Sequence, residues 1–118
     1  MGPTLPPPHV AWLLTDGRVL ATAEVAEIRR ARAIGLLGRP GLSGCLVLER
    51  TRWVHTLGMQ FDIDVAYVDR QGIVLRTERL KRHRVGRPVR HAALVIEAEA
   101  GSFDRWGLRS GAKIELRR

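Results

Sequence analysis

The segment DIDVAYVDRQGIVLRTERL, residues 62–80, gives the clearest indication of the fold. Two runs rich in β-branched residues flank the pair Gln71-Gly72, where a glycine suits a tight turn. Side chains alternate along a strand, so the first run would place two sets on opposite faces. These sets are Asp62, Asp64, Ala66 and Val68, and Ile63, Val65 and Tyr67. The segment therefore predicts a β-hairpin whose first strand carries two carboxylates on one face.

Apolar runs bounded by turn residues extend the prediction in both directions from this hairpin. The predicted strands are residues 10–15, 18–26, 45–50, 62–69, 73–80, 93–99 and 112–117, with a turn or helical segment from 100 to 108. Only residues 27–37 show apolar residues at helical spacing, and Gly38 and Pro40 would end that helix. The pattern predicts a mainly β fold, a compact antiparallel β-sandwich or small barrel with one short α-helix at about residues 27–37.

Length and composition indicate a single globular domain. The chain has 118 residues, of which 45% are hydrophobic and 27% are charged. The proline-rich residues 1–8 are expected to form a flexible tail before a β-rich domain at 9–118. The single cysteine, Cys45, excludes an internal disulfide and is most simply a small buried hydrophobe. No apolar run approaches the roughly 20 residues of a membrane span and the N-terminus does not resemble a signal peptide, so we expect a cytoplasmic protein.

The chain is strongly basic, with a net charge of +8 and a pI of about 11.3. Of its 20 basic residues only Lys81 and Lys113 are lysine, a bias that genome base composition also produces. The basic loop, residues 79–91, contains no acid and could contact an anionic partner, although such a charge run is more often a solvated loop. Its candidate partner-binding residues are Arg79, Lys81, Arg82, Arg84, Arg87 and Arg90. Because the loop lacks aromatic residues for base stacking, we expect only weak, salt-sensitive, non-specific binding to polyanions.

Asp62 and Asp64 have two interpretations. Carboxylates two positions apart on one strand face are separated by roughly 7 Å, a spacing that suits a bridging water, a metal or an acid–base pair. Alternatively, one aspartate accepts backbone N–H bonds at the start of the strand while the other lies in solvent. The spacing alone favours the second interpretation, since short acidic pairs commonly mark strand ends.

Five motifs in fixed order resemble the DUF192 family of uncharacterised bacterial and archaeal proteins. They are GLLGR at 35–39, VHTLGM at 54–59, DIDVAYVDRQG at 62–72, LVIEAEAG at 94–101 and GLRSGAKI at 107–114. The resemblance implies a compact, mostly antiparallel β-fold with a short helix and no established activity. The family's recurrent acid falls on Asp64, whereas relatives often have proline at position 62. We therefore expect Asp64 to accept backbone N–H groups or a bond from Thr56, and Asp62 to be more exposed.

The family positions also supply the candidate ligand site. Its members are Arg39, His55, Thr56, Met59, Asp64 and Glu97. Relatives often have Asn-Thr where His55-Thr56 stands, and many carry an export signal, which we do not expect in this chain. Arg39, His55 and Thr56 can donate hydrogen bonds, which suits a small anionic or polar ligand. A buried Glu97 would need a partner such as Arg39 or Arg90, but the glutamate could instead face water.

A binding module for a small polar or anionic ligand is the function that these residues favour. One alternative is a small hydrolase or metal-dependent enzyme that uses Asp64 or His55. Another is an interaction protein whose basic loop contacts an acidic partner or nucleic acid. The histidines and acids do not show the local spacing of a metal site, so we predict neither a metal nor a cofactor.

Overall fold

A computed structural model describes residues 9–27 and 41–117 of the chain. These residues form seven strands and one short helix. The strands are β1 (His9–Thr15), β2 (Arg18–Glu27), β3 (Cys45–Glu49), β4 (Ile63–Val68), β5 (Val74–Leu80), β6 (Leu94–Glu99) and β7 (Ile114–Arg117), and the helix is α1 (Ser102–Trp106).

The predicted fold class is confirmed. The protein is mainly β, a curled half-barrel sheet with a short helix. Each predicted strand is present, with ends that differ by no more than two residues. The segment predicted as a turn or helix after β6 forms α1, which left-handed glycines bound at both ends. Of the helix expected at 27–37, Glu27 ends β2, and residues 28–40, including Arg39, lie outside the described residues.

The strand order in the single sheet is β5-β4-β6-β3-β2-β1-β7. Neighbouring strands pair antiparallel except β2 and β3, which are parallel because the chain crosses over between them. The sheet curls until its two edge strands meet at one end. There Ile73 bridges Lys113, and the N–H of Val74 donates to the carbonyl of Ala112 at 2.8 Å. This contact gives the sheet its half-barrel form.

Both faces of the sheet carry an apolar core. Every residue of β4 is buried, because this strand lies between β5 and β6 and is covered on both faces. Ala66 and Val68 belong to one core cluster, while Val65 and Tyr67 belong to the other. The predicted alternation along this strand is therefore confirmed, and it places Asp64 on the same face as Ala66.

Candidate functional site

Asp64 lies at the start of β4 and is almost fully buried, with 5% of its surface exposed. Its Oδ1 accepts a hydrogen bond from Nε of Arg79 at 3.0 Å. Its Oδ2 accepts the backbone N–H groups of Gly101 at 2.9 Å and Phe103 at 3.1 Å. The carboxylate thus ties β4 to β5 and to the first turn of α1. The prediction that Asp64 accepts backbone N–H groups is confirmed.

Asp62 has a different environment. It is half-buried, and its Oδ1 accepts one hydrogen bond, from the backbone N–H of Arg82 at 2.9 Å. Among the hydrogen bonds of the described residues, the two aspartates share no donor. The carboxylates therefore have separate contacts, as the second interpretation of the pair expected.

Arg79 is the charged partner of Asp64. The carboxylate accepts its hydrogen bond and, by its negative charge, raises the pKa of the arginine above the ordinary value. The partnership follows from the hairpin register, in which Asp64 lies directly opposite Arg79. Sequence analysis had assigned Arg79 to the anion-binding set instead. Counting outward from the Gln71-Gly72 turn would have revealed the pair, since the two positions lie at nearly equal distances from it.

Thr56 is completely buried and holds the basic loop against the loop that precedes β4. Its Oγ1 donates to the carbonyl of Lys81 at 2.6 Å and accepts the backbone N–H of Arg84 at 2.9 Å. Met59 is buried in the core cluster beside it. His55, one position away, is only half-buried, and its Nδ1 accepts the backbone N–H of Leu57 at 3.2 Å. Thr56 and His55 therefore point to opposite sides of their segment.

Glu97 is buried, whereas Glu99 on the same face is exposed. In the sheet Glu97 stands between Leu46 of β3 and Val65 of β4. Nearby, the hydroxyl of Tyr67 donates to Oε1 of Glu78 at 2.7 Å. Burial raises the pKa of Tyr67 above its ordinary value, and the charges of Glu78 and Glu97 add to the effect. Of the predicted ligand site, Arg39 lies outside the described residues.

A second polar site lies at the opposite end of β4. Here an open cleft of about 930 Å³ separates the β4–β5 turn from the segments that follow β3 and precede β6. We call it the arginine cleft. Its charged and titratable lining residues are Arg50, Arg52, Arg70, Arg90, His91 and Asp69. Of these residues, sequence analysis had named only Arg90 as a candidate.

The positive charges of the four cleft arginines are not paired with acids in the described part of the chain. None of their guanidinium groups makes a hydrogen bond or ion pair with another described residue. Asp69 is the only acid in the lining, and its Oδ1 already accepts the backbone N–H groups of Gln71 and Ile73, each at 2.9 Å. The cleft thus concentrates positive charge that internal acids do not neutralise.

The backbone of the cleft contains two residues in the left-handed region. Arg50 has φ of 55° and His91 has φ of 70°. Residues other than glycine adopt this conformation at a free-energy cost, and such residues are enriched in ligand-binding segments. Arg50 directly follows the end of β3, and His91 comes shortly before the start of β6, so both left-handed residues lie where these neighbouring strands meet the cleft.

Several other groups bear on the chemistry of the molecule. Burial raises the pKa of the Cys45 thiol to about 12, which leaves it neutral and unreactive near neutral pH.

Within residues 9–27 and 41–117, no three His, Cys, Asp or Glu side chains are grouped to hold a metal ion. The absence of metal and cofactor, and the hydrolase alternative, remain predictions. No helix among the described residues is long and apolar enough to cross a membrane.

Comparison with known proteins identifies the family and the fold. A solved structure from Sinorhizobium meliloti 1021, described as a “putative transcription regulator”, has a TM-score of 0.76 at 23% identity, over 98% of both chains. A protein of unknown function from Novosphingobium aromaticivorans DSM 12444 has a TM-score of 0.74 at 17% identity, over 98% of this chain and 93% of the other. The comparison with curated proteins gave no match. The profile of the family DUF192, Uncharacterized ACR, matches residues 11–116, so this chain belongs to that family.

Proposed function

We propose that this protein is a binding module for a small, multiply charged anion, which it holds in the arginine cleft. The observation that carries the proposal is the convergence of Arg50, Arg52, Arg70 and Arg90 on one cleft without an ion pair to any described residue. Like charges that face one cleft repel one another, and a bound anion would relieve that repulsion.

The chemistry of the lining suits phosphate or carboxylate groups. Guanidinium groups bind both in a bidentate manner, and His91 adds a further donor. With four arginines and one aspartate, the cleft has a formal surplus of positive charge that fits an anion with two or more negative charges. Its volume of about 930 Å³ lies within the range of small-molecule sites and exceeds the size of a single phosphate. A diphosphate or a small polycarboxylate is therefore the ligand class that we favour.

The ligand role predicted for Arg39, His55, Thr56, Met59, Asp64 and Glu97 is a separate proposal. The Asp64 carboxylate already accepts three hydrogen bonds, and the Thr56 hydroxyl already bonds to the basic loop. These contacts give both side chains a structural role that needs no ligand. The arginine cleft is better suited to binding, because its cations lack such contacts.

Isothermal titration calorimetry with inorganic pyrophosphate tests the proposal. We expect binding that Arg52→Gln and Arg90→Gln each weaken by about tenfold or more, because each variant removes one charge-assisted contact. The matched control is Arg117→Gln, which removes the same charge from an exposed ion pair with Glu115. Citrate and inorganic phosphate, titrated in parallel, would distinguish a preference for polycarboxylates from one for phosphates. Equal affinities for wild type and both cleft variants would contradict the proposal.

Nucleic-acid binding is a second candidate, favoured by the acid-free basic loop and by the description of the Sinorhizobium protein as a “putative transcription regulator”. Lys81, Arg82, Arg84 and Arg87 are all exposed on this loop. We expect such binding to be weak and to fall steeply with salt, because charge without base contacts gives little specificity. Titration of a labelled oligonucleotide at two salt concentrations measures it. Tight binding to one defined sequence at physiological salt would contradict this expectation.

A further inference from the structure

Two loop segments that are distant in sequence form a short antiparallel ribbon. His55 bridges Val85, the N–H of Thr56 donates to the carbonyl of Arg84 at 2.8 Å, and the N–H of Gly86 donates to the carbonyl of Val54 at 2.9 Å. We call residues 52–57 and 84–89 the loop ribbon. Because side chains alternate on extended backbone, one face of the ribbon points into the core and the other points outward.

The burial of the residues follows this alternation. Val54 and Thr56 are buried, whereas Trp53 and Leu57 are exposed. On the outer face three apolar side chains, the apolar strip, have exposed fractions of 61% for Val85, 46% for Leu57 and 39% for Trp53. Trp53 also packs its ring against His55, with the centroids 6.1 Å apart. Large apolar side chains grouped on one exposed face mark an interaction surface.

The charge around the apolar strip is mainly positive. Residues 50–60 and 79–91, which include both halves of the loop ribbon, contain no aspartate or glutamate. Four exposed cations flank the strip along the second segment: Lys81, Arg82, Arg84 and Arg87. The carboxylate of Asp62 nearby accepts the backbone N–H of Arg82. A negatively charged partner that also receives apolar side chains therefore fits this face best.

The loop ribbon is a preformed platform. Gly86 packs against the opposite segment so closely that a Cβ at this position would lie 2.8 Å from the carbonyl oxygen of Val54. Thr56 fixes the same segment through its bonds to Lys81 and Arg84. Because the backbone is held in this way, binding to the outer face would not require the ribbon to become ordered first, which lowers the free-energy cost of association.

We propose that the apolar strip inserts into the headgroup region of an anionic lipid bilayer, with the flanking cations on the lipid phosphates. An amphipathic surface with a tryptophan, aliphatic side chains and surrounding basic residues is suited to the bilayer interface. Single-stranded nucleic acid fits this face less well, because Leu57 and Val85 cannot stack on bases. A neutral protein partner would leave the surrounding charge uncompensated. Neither the apolar strip nor the four flanking cations line the arginine cleft, although Arg52 of the loop ribbon does.

Co-sedimentation of the full chain with vesicles tests the proposal. We expect binding to vesicles of phosphatidylcholine mixed with phosphatidylglycerol, and much weaker binding to vesicles of phosphatidylcholine alone. Val85→Ser and Leu57→Ser should each reduce the partition coefficient by roughly fivefold, since each removes apolar surface from the interface. Arg87→Gln, two positions after Val85 on the outer face, should reduce it by about fivefold, the effect of one charge near an anionic surface. The matched control is Val19→Ser, which alters an equally exposed valine (53%) on the β1–β2 hairpin.

Each variant should first be shown by circular dichroism to be folded and by thermal unfolding to be as stable as wild type. Unchanged vesicle binding by Val85→Ser and Leu57→Ser would overturn the proposal, as would equal loss in Val19→Ser. Binding to an oligonucleotide but not to vesicles would assign the surface to nucleic acid instead. Self-association that increases with concentration and is lost in Leu57→Ser would assign it to a second copy of the chain.

Discussion

The two ends of β4 differ in whether their charged side chains are paired within the protein. At the start of the strand, Asp64 is buried and accepts three hydrogen bonds from Arg79, Gly101 and Phe103. At its end, four arginines surround an open cleft without an ion pair to any described residue. A buried charge that accepts hydrogen bonds from the protein itself stabilises the fold. Unpaired like charges around one cleft repel one another, and a bound anion would reduce that repulsion. The difference separates residues with a structural role from those that we propose to bind a ligand.

Removal of the Asp64 carboxylate should have the largest effect on stability. We expect Asp64→Ala to lower the free energy of unfolding by about 3 kcal/mol, because two N–H groups at the start of α1 lose their acceptor in a buried site. Urea unfolding measures the change. Asp62→Ala is the control and should cost less than about 1 kcal/mol, since its carboxylate accepts one bond at a half-buried position. If both variants lost the same free energy of unfolding, the conclusion that only Asp64 has a structural role would be wrong.

Removal of the Thr56 hydroxyl should have the next largest effect on stability. We expect Thr56→Val to cost about 2 kcal/mol, because the N–H of Arg84 and the carbonyl of Lys81 both lose a buried partner. Thr51→Val offers a matched control, since Thr51 is also buried but donates only to the nearby carbonyl of Glu49. Thermal unfolding of both variants gives the comparison. A larger loss for Thr51→Val would show that the contacts of Thr56 are not what hold the basic loop.

Cys45 extends the comparison to a titratable group that the fold keeps neutral. Burial raises the pKa of its thiol from 9.0 to about 12, so the unfolded chain ionises first as the pH rises. The stability linked to this group is therefore complete below pH 9 and is lost between pH 9 and about 12. Relative to Cys45→Ala, the wild type should lose about 1.4 kcal/mol per pH unit in this window. Urea unfolding at several pH values measures this loss. The expectation would be contradicted if the free energies of unfolding of the two proteins changed equally with pH between 9 and about 12.

The arginine cleft should show the smallest effect on stability. In buffer without multivalent anions, Arg52→Gln and Arg90→Gln should each change the free energy of unfolding by no more than about 0.5 kcal/mol, because neither side chain has a described partner to lose. Urea unfolding measures this, with Arg79→Gln as a control that breaks the ion pair with Asp64. A cleft variant that costs more than Arg79→Gln would mean that the cleft arginines hold the fold.

Much of the fold and one part of the candidate site follow from the sequence alone. The strand positions were predictable because alternation and turn residues are local properties, read over five to eight positions. The same alternation placed Asp64 and Ala66 on one face. The acidic pair at the strand's start indicated that one carboxylate accepts backbone N–H groups, and the resemblance to the family assigned that role to Asp64. The hairpin register also contained the Asp64–Arg79 pair, although that signal was not used.

The arginine cleft and the loop ribbon were decided only by the tertiary structure. Arg52, Arg70 and Arg90 lie on three segments, which meet because β3, β6 and β4 are adjacent in the sheet although they are not consecutive in the chain. The loop ribbon likewise brings Trp53 beside a basic loop that has no aromatic residue of its own. Which strands become neighbours depends on how the apolar faces of the whole chain pack together. No local pattern of residues contains that information, because pairing between distant segments is a property of the complete core.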